Sequence, residues 1–213
     1  KGALREYLKD YLSYNEKVDG FFWATTLFQI FGTDNSEISD EEKQTIAEKL
    51  NIDLKKNKNI EIPGDFRFLS ADLLSIPTHK EDKIKHVISC DWLKENLEGK
   101  LDLFNYQLKD KKPEDIVEAN EYLSNEDFWE KVDDYNLPVI ARNHLEDGQS
   151  TNLWYEQILP RGTKLYFVVV YNNENLFEVF KEAVVKYPVQ IGANASVGYG
   201  FCKIEEIPVI LKN

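Results

Sequence analysis

Two stretches of the sequence hold residue types that could contact a phosphodiester chain. The first, Gly192-Ala193-Asn194-Ala195-Ser196-Val197-Gly198-Tyr199-Gly200, falls between a predicted helix and a predicted strand. Glycines there let backbone amides approach a phosphate closely, because no Cβ stands in the way. The pattern lacks the Gly-Lys-Ser/Thr of a P-loop and the strand-first context and glycine spacing of a dinucleotide fingerprint. On glycines alone a plain turn is the stronger reading. The second stretch joins Leu137-Pro138-Val139-Ile140-Ala141-Arg142-Asn143 to Asn152-Leu153-Trp154-Tyr155-Glu156. Arg142 and Asn143 could hold phosphate and base edges, and Trp154 and Tyr155 could stack on bases. Equally, Trp154 and Tyr155 fit a core and Arg142 an ion pair, and from residue type the two readings stand level.

Other chemistries find little to work with. Cys90 and Cys202 are far apart and in different predicted elements, so neither a disulfide framework nor a Cys-x-x-Cys metal site is expected, and both read as small core residues. His79, His86 and His144 lack ligand spacing, and no metal site is predicted.

The elements that must position these residues follow from periodicity. From Gly2 to Tyr14, Ala3, Leu4, Tyr7, Leu8, Tyr11 and Leu12 share a stripe opposite Arg5, Glu6, Lys9 and Asp10, which predicts an amphipathic helix. After the aromatic segment Phe21–Phe31, a loop with Gly32, Asp34, Asn35 and Ser36 leads into a helix over Asp40–Leu50. The lysine-rich tract Asp53–Asn59 reads as mobile. Arg67–Ile76 reads as a strand ended by Pro77. Pro113–Tyr135 reads as an inserted helical segment with little strand character. Leu165–Tyr171 predicts a strand, and Leu176, Phe177, Phe180, Ala183 and Val184 predict a helix closed by Pro188, with a last strand over Phe201–Ile207.

This order is most of a β-α-β-β-α-β unit whose first strand would lie upstream of Lys1. The predicted class is α+β, a ferredoxin-like (RRM-like) domain over 1–213 with helical and hairpin insertions at about 33–62 and 95–160.

With 42% hydrophobic residues among 213, the chain can bury a substantial core. No apolar run approaches membrane-spanning length and no signal peptide opens the chain, so a cytoplasmic location is expected. A net charge of -12 disfavours nucleic acid as a whole. The charge is segregated, however. Nine acids and one lysine lie between Glu114 and Asp134, whereas Lys1, Arg5 and Lys9 recur at helical spacing.

Lys1-Gly2-Ala3-Leu4-Arg5, the Phe31-Gly32 loop, LPVIARN, NLWYE and IGANASVGYG, met in this order, resemble the RAMP superfamily. The set is most similar to the backbone subunit of the type III-B, or Cmr, CRISPR effector. The resemblance covers nearly the whole chain. LPVIARN and NLWYE, with SADLLSIP before them, point to that one subunit.

The resemblance implies RNA-guided antiviral defence: copies of the subunit line up along a CRISPR guide RNA with other effector subunits, and complementary target RNA is cut where a projecting hairpin, or thumb, kinks the duplex. It implies that Lys1, Gly2 and Arg5 and the loop residues Gly192, Asn194, Ser196, Gly198, Tyr199 and Gly200 face the guide, and that Arg142, Asn143 and Trp154 belong to the thumb. The family's cleaving aspartate lies upstream of the first helix. Glu156 is left as a candidate accessory acid, with a divalent cation (Mg or Mn) as a candidate aid to cleavage.

Two departures from the family pattern stand out. Ala193, Ala195, Ser196 and Tyr199 replace the usual glycine pair, acid, threonine and basic residue, and Pro77-Thr78-His79-Lys80 replaces Pro-Val-Arg-Ser. A non-catalytic guide scaffold explains every motif present. A guide-processing RAMP endoribonuclease would call for a histidine on the first helix or in the glycine loop.

Overall fold

The apolar stripe near the start forms a helix in the computed structural model: α1 spans Gly2–Asn15 and buries Leu4, Leu8 and Leu12. The structure describes residues 1–15, 22–54, 59–80, 83–133, 137–147, 149–193, 196 and 198–212. Along the chain follow α2 (Phe22–Phe31), α3 (Asp40–Lys49), β1 (Arg67–Phe68), β2 (Asp72–Lys80), β3 (Lys83–Cys90) and α4 (Asp91–Asp102). Next come β4 (Tyr106–Leu108), α5 (Pro113–Val117), β5 (Glu121–Leu123), α6 (Asn125–Val132), β6 (Val139–Glu146) and β7 (Gln149–Gln157). The last part holds β8 (Lys164–Tyr166), β9 (Val169–Val170), α7 (Glu174–Lys186), β10 (Val189–Gln190), β11 (Phe201–Cys202) and β12 (Val209–Leu211). These elements gather into two units, Lys1–Leu69 with Val169–Glu206, and Ser70–Val168 with Ile207–Asn213.

In the first unit α1 packs on α2, α7 and β10, and the Tyr7 hydroxyl donates to the Ala183 carbonyl at 3.1 Å. α3 starts in a capping box: the Glu42 amide donates to Ser39 Oγ, and the Ser39 amide donates to the Glu42 carboxylate. An aromatic core joins Phe31, Phe66, Phe68 and Phe180, with Phe31 stacked on Phe68 at 5.1 Å and Phe180 edge-on to Phe66 at 5.6 Å.

The end of α2 decides how that core closes. Its last carbonyls, on Gln29 and Ile30, accept from the amides of Asp65 and Phe66 at 2.7 and 3.1 Å, which satisfies acceptors the helix itself leaves open. That pairing brings Gly64 against the backbone of Phe31 and Gly32. A Cβ on Gly64 would lie 2.4 Å from the Phe31 carbonyl carbon and 2.5 Å from the Gly32 nitrogen.

Asp65 secures the same region from its other side, accepting from the amides of Asn172 and Asn173, both at 3.0 Å, and from Asn172 Nδ2 at 3.1 Å. Burial pushes its carboxyl upward, but these hydrogen bonds and nearby Arg67 outweigh it and hold the group below its ordinary 3.8. Its contribution is therefore fully present above that value and is lost as pH falls through the lower, folded one. Asp65→Asn should cost about 1 kcal/mol at neutral pH, limited by solvent around the site. Urea unfolding of both proteins should show the difference shrinking in acid.

In the second unit a four-stranded sheet runs β5-β3-β2-β8. Ile76, Ile88, Cys90, Leu93 and Phe128 form one buried cluster, and Leu74, Leu97, Val117 and Tyr166 another. Two fully buried hydroxyls are satisfied: Ser75 Oγ donates to the Val117 carbonyl at 3.0 Å and Ser89 Oγ to the Leu74 carbonyl at 2.6 Å. Asp72 holds one end, paired with Lys100 and accepting from the Tyr166 hydroxyl at 3.3 Å. Burial, then the charge of Asp72, pushes the Tyr166 hydroxyl far up.

The α+β class holds, and several strand boundaries differ from expectation. Pro77 does not end a strand but sits inside β2, opposite Val87. Val87 turns its polar groups to Asn120, donating to Oδ1 at 2.9 Å and accepting from the Asn120 amide at 2.8 Å. No ladder bond is asked of Pro77 there, so its missing N–H costs nothing. The acidic segment contains a strand after all, since Glu121–Leu123 pairs parallel to Ile88–Cys90. Leu165–Tyr171 is two strands rather than one: β8 pairs with β2 and β9 with β1, in different units. The last strand stops at Cys202, because β10 offers only Val189 and Gln190 as partners.

The strands of the expected ferredoxin-like order in the first unit lie as two separate antiparallel pairs, β1 with β9 and β10 with β11. The tract 55–58 lies outside the described residues. Among the described residues no helix is long and apolar enough to cross a membrane.

Candidate nucleic-acid interface

The first group of predicted contacts lies in the unit that holds α1. Lys1 and Gly2 are exposed at its start, and the Lys1 carbonyl accepts from the Arg5 amide at 3.0 Å. β10, against which α1 packs, runs straight into Gly192. The loop is closed at its base, where the Ile191 amide donates to the Gly200 carbonyl at 2.8 Å, and braced by Gln190 Nε2 donating to the Gly192 carbonyl at 2.7 Å.

Gly192 and Gly198 have φ of +97° and +86°, and a Cβ on either would meet nothing within 4 Å. Conformation, not crowding, calls for glycine at these two positions, and open space remains beside the backbone. Gly200 differs, since a Cβ there would sit 2.2 Å from the Ile191 carbonyl oxygen. Ser196 is exposed and Tyr199 half-buried, while Asn194 lies outside the described residues.

Arg5, expected to face phosphate beside Lys1, has a structural task in this fold. Its Nη1 donates to the Gly32 carbonyl at 2.9 Å, and its guanidinium lies over the rings of Phe28 and Phe31 at 5.7 and 5.9 Å. It therefore pins the turn that ends α2. The Phe31-Gly32 pattern at the sequence level was the available signal, because a carbonyl exposed by a helix-ending glycine attracts a cation.

The second group forms the β6–β7 hairpin of the other unit. Register places Arg142 opposite Trp154, Ala141 opposite Tyr155 and Asn143 opposite Leu153. Cross-strand partners share a face and neighbours along a strand do not. Trp154 thus stands with Arg142 and Glu156, while Tyr155 stands with Val139, Ala141 and Leu153 on the opposite face. Neither aromatic is core: Trp154 is 40% exposed and Tyr155 69%. The ion pair, by contrast, does form, with Arg142 Nε donating to Glu156 Oε2 at 3.1 Å. Trp154 Nε1 donates to the other oxygen, Oε1, at 3.0 Å. Asn143 Oδ1 accepts from Ser150 Oγ at 2.6 Å.

Both carboxylate oxygens of Glu156 are thus engaged in orienting an indole and a guanidinium. This gives the residue a positioning part in the hairpin. Glu156→Gln should cost at most about 1 kcal/mol of stability, since the pair is partly exposed. Faster amide exchange confined to 139–157 is the expected readout. Among the described residues no three His, Cys, Asp or Glu side chains gather to hold a metal ion. Glu156, the candidate acid, meets Arg142 and Trp154 and no second carboxylate among these contacts.

His86 is buried and shares a 2.7 Å hydrogen bond with Glu121. Burial raises the thiols of Cys90, which is fully buried, and Cys202, which is partly exposed.

Solved structures share this architecture. A chain of the Type III-B Cmr-beta bound to cognate target RNA, solved by cryo-EM, matches with a TM-score of 0.59 at 14% identity, over 94% of this chain and 81% of that chain. The apo state of the Type III-B Cmr-beta gives 0.60 at 12% identity, over 99% and 82%. Oligomeric Cmr4 from Pyrococcus furiosus gives 0.52 at 15% identity, over 99% and 87%. At such identities the likeness is one of fold. No curated protein matches the sequence. The model of the RAMP superfamily matches residues 1–203, nearly the whole length, and the chain belongs to that superfamily.

Proposed function

We propose that this chain is a guide-RNA-binding backbone subunit of a type III-B CRISPR effector, working in antiviral defence beside copies of itself and other subunits. The RAMP match over residues 1–203 carries the reading. The fold shared with Cmr-beta, solved with cognate target RNA, supports it.

In this reading Lys1, Gly2 and the loop Gly192–Gly200 meet the guide backbone. The exposed amides at the start of α1 suit phosphate oxygens, and the open space at Gly192 and Gly198 admits them. Arg5 holds the neighbouring turn in place. The β6–β7 hairpin is the thumb, and Trp154 and Tyr155 offer a stacking surface on each of its faces. Contacts to phosphate and sugar let one subunit cover any guide sequence.

Cutting the target requires in-line attack by a 2′-hydroxyl with a general base beside it. The engagement of Glu156 by Arg142 and Trp154 favours a holding and kinking role for the residues present.

Sedimentation with two guide RNAs, one twice the length of the other, tests the assembly. Twice as many copies should load on the longer guide. A single copy on both, or none, would sink the reading.

A further inference from the structure

We infer that Trp92 and Trp129 form a docking site for an arginine-presenting segment of a partner protein. The two indoles meet edge to face between α4 and α6, 6.2 Å apart, and remain 45% and 43% exposed. Trp129 also meets Phe128, which is fully buried, at 5.2 Å. The Trp92 amide donates to Asn125 Oδ1 at 3.4 Å, tying the start of α4 to the start of α6. The pair thus stands on two packed helices. Large aromatic surface left open on a firm footing marks an interaction site.

Charge selects the occupant. One helical turn from Trp92 stands exposed Glu95, and one turn before Trp129 stands exposed Glu126. Asp127, Glu130 and Asp133 add to the same segment, against Lys131 alone. The α4 lysines turn elsewhere: Lys94 pairs with Asp91 and Glu114 and lies over the Tyr122 ring at 4.3 Å, and Lys100 pairs with Asp72.

Such a surface repels phosphate. It suits a guanidinium, which can lie on an indole face while donating to a flanking carboxylate. The site is opposite in sign to any RNA contact and stands independently of the proposed function.

The test titrates labelled hexa-arginine, with hexa-citrulline as its uncharged counterpart, into the full chain. Trp92→Ala, Trp129→Ala and the double variant Glu95→Gln/Glu126→Gln are compared with Tyr14→Ala, which removes an aromatic that is 85% exposed on α1. Wild type and Tyr14→Ala should bind hexa-arginine alike, hexa-citrulline should bind far more weakly, and each of the other variants should lose about fivefold or more in affinity. The double variant keeps both indoles and so reads the charge without disturbing the aromatic packing. If the tryptophan variants bind hexa-arginine as wild type does, the attraction comes from the net charge of -12 and the proposal falls. It falls too if those variants lose single-stranded RNA binding, since the pair would then serve nucleic acid.

Discussion

Gly64→Ala should destabilise the protein by about 3 kcal/mol or more, because the added methyl meets backbone rather than movable side chains. The new Cβ would lie 2.4 Å from the Phe31 carbonyl carbon, 2.5 Å from the Gly32 nitrogen and 2.8 Å from the Ile30 carbonyl oxygen. None of these atoms can retreat without breaking the bonds from Asp65 and Phe66 to the end of α2. The damage should also reach Arg5, whose guanidinium is anchored on the Gly32 carbonyl. Gly99→Ala is the natural control. That position lies inside α4 with nothing within 4 Å of the new methyl, so the same chemical change should stabilise by about 0.5–1 kcal/mol. Urea denaturation of the two variants should therefore move the midpoint in opposite directions.

The other large effect is on RNA binding. Trp154→Ala with Tyr155→Ala should weaken binding of single-stranded RNA by at least about tenfold, since base–aromatic stacking contributes about 1–3 kcal/mol per base. The thermal midpoint should change little, because both side chains are exposed. The two replacements should act independently in a double-mutant cycle, as their rings lie on opposite faces of the hairpin. Trp154→Phe separates the ring from its N–H. It should keep much of the binding while releasing the bond to Glu156. Fluorescence anisotropy with a labelled oligonucleotide measures the wild type and all four variants, and unchanged affinity in the double variant would remove the hairpin from the RNA interface.

Amphipathic helices with a clear stripe were legible, since their signal is local, whereas the nearly all-apolar α2 (Phe22–Phe31) read only as an aromatic segment and α4 (Asp91–Asp102) was not read as a helix. The stripe of Leu4, Leu8 and Leu12 and the face of Phe180, Ala183 and Val184 are both buried as their spacing predicts. Strands were harder, because each depends on a partner far away. Pro77 is tolerated inside β2 because Val87, opposite it, bonds to Asn120 instead and the ladder with β8 ends at Ser75, and both facts lie far from Pro77 in sequence. Glu121–Leu123 lacks a strand pattern of its own and takes one from β3. The run Leu165–Tyr171 is uniformly apolar, so nothing in it marks the point where the chain passes from one unit to the other.

The candidate site shows the same division. The glycine loop and the Arg142 and Trp154 segments were legible as motifs, and the structure places the latter on one exposed hairpin. Which tasks the side chains perform was not legible. Arg5 carries a charge that suits phosphate, yet a helix end lies within its reach. Trp154 and Tyr155 are adjacent in sequence and therefore, in a strand, on opposite sides. Glu156 is an acid whose two oxygens serve its neighbours.

Whether this chain holds guide RNA through the RNA's backbone is decided by affinity measured across a salt series with two unrelated single-stranded RNAs of equal length. The two sequences should bind with equal affinity and give parallel straight lines of log affinity against log salt, falling as salt rises. Replacing Lys1 with Ala should flatten both slopes by about one phosphate contact, or roughly 0.7 for a single strand. Affinity that differs strongly between the two sequences, or that does not respond to salt, would rule out binding through the RNA backbone.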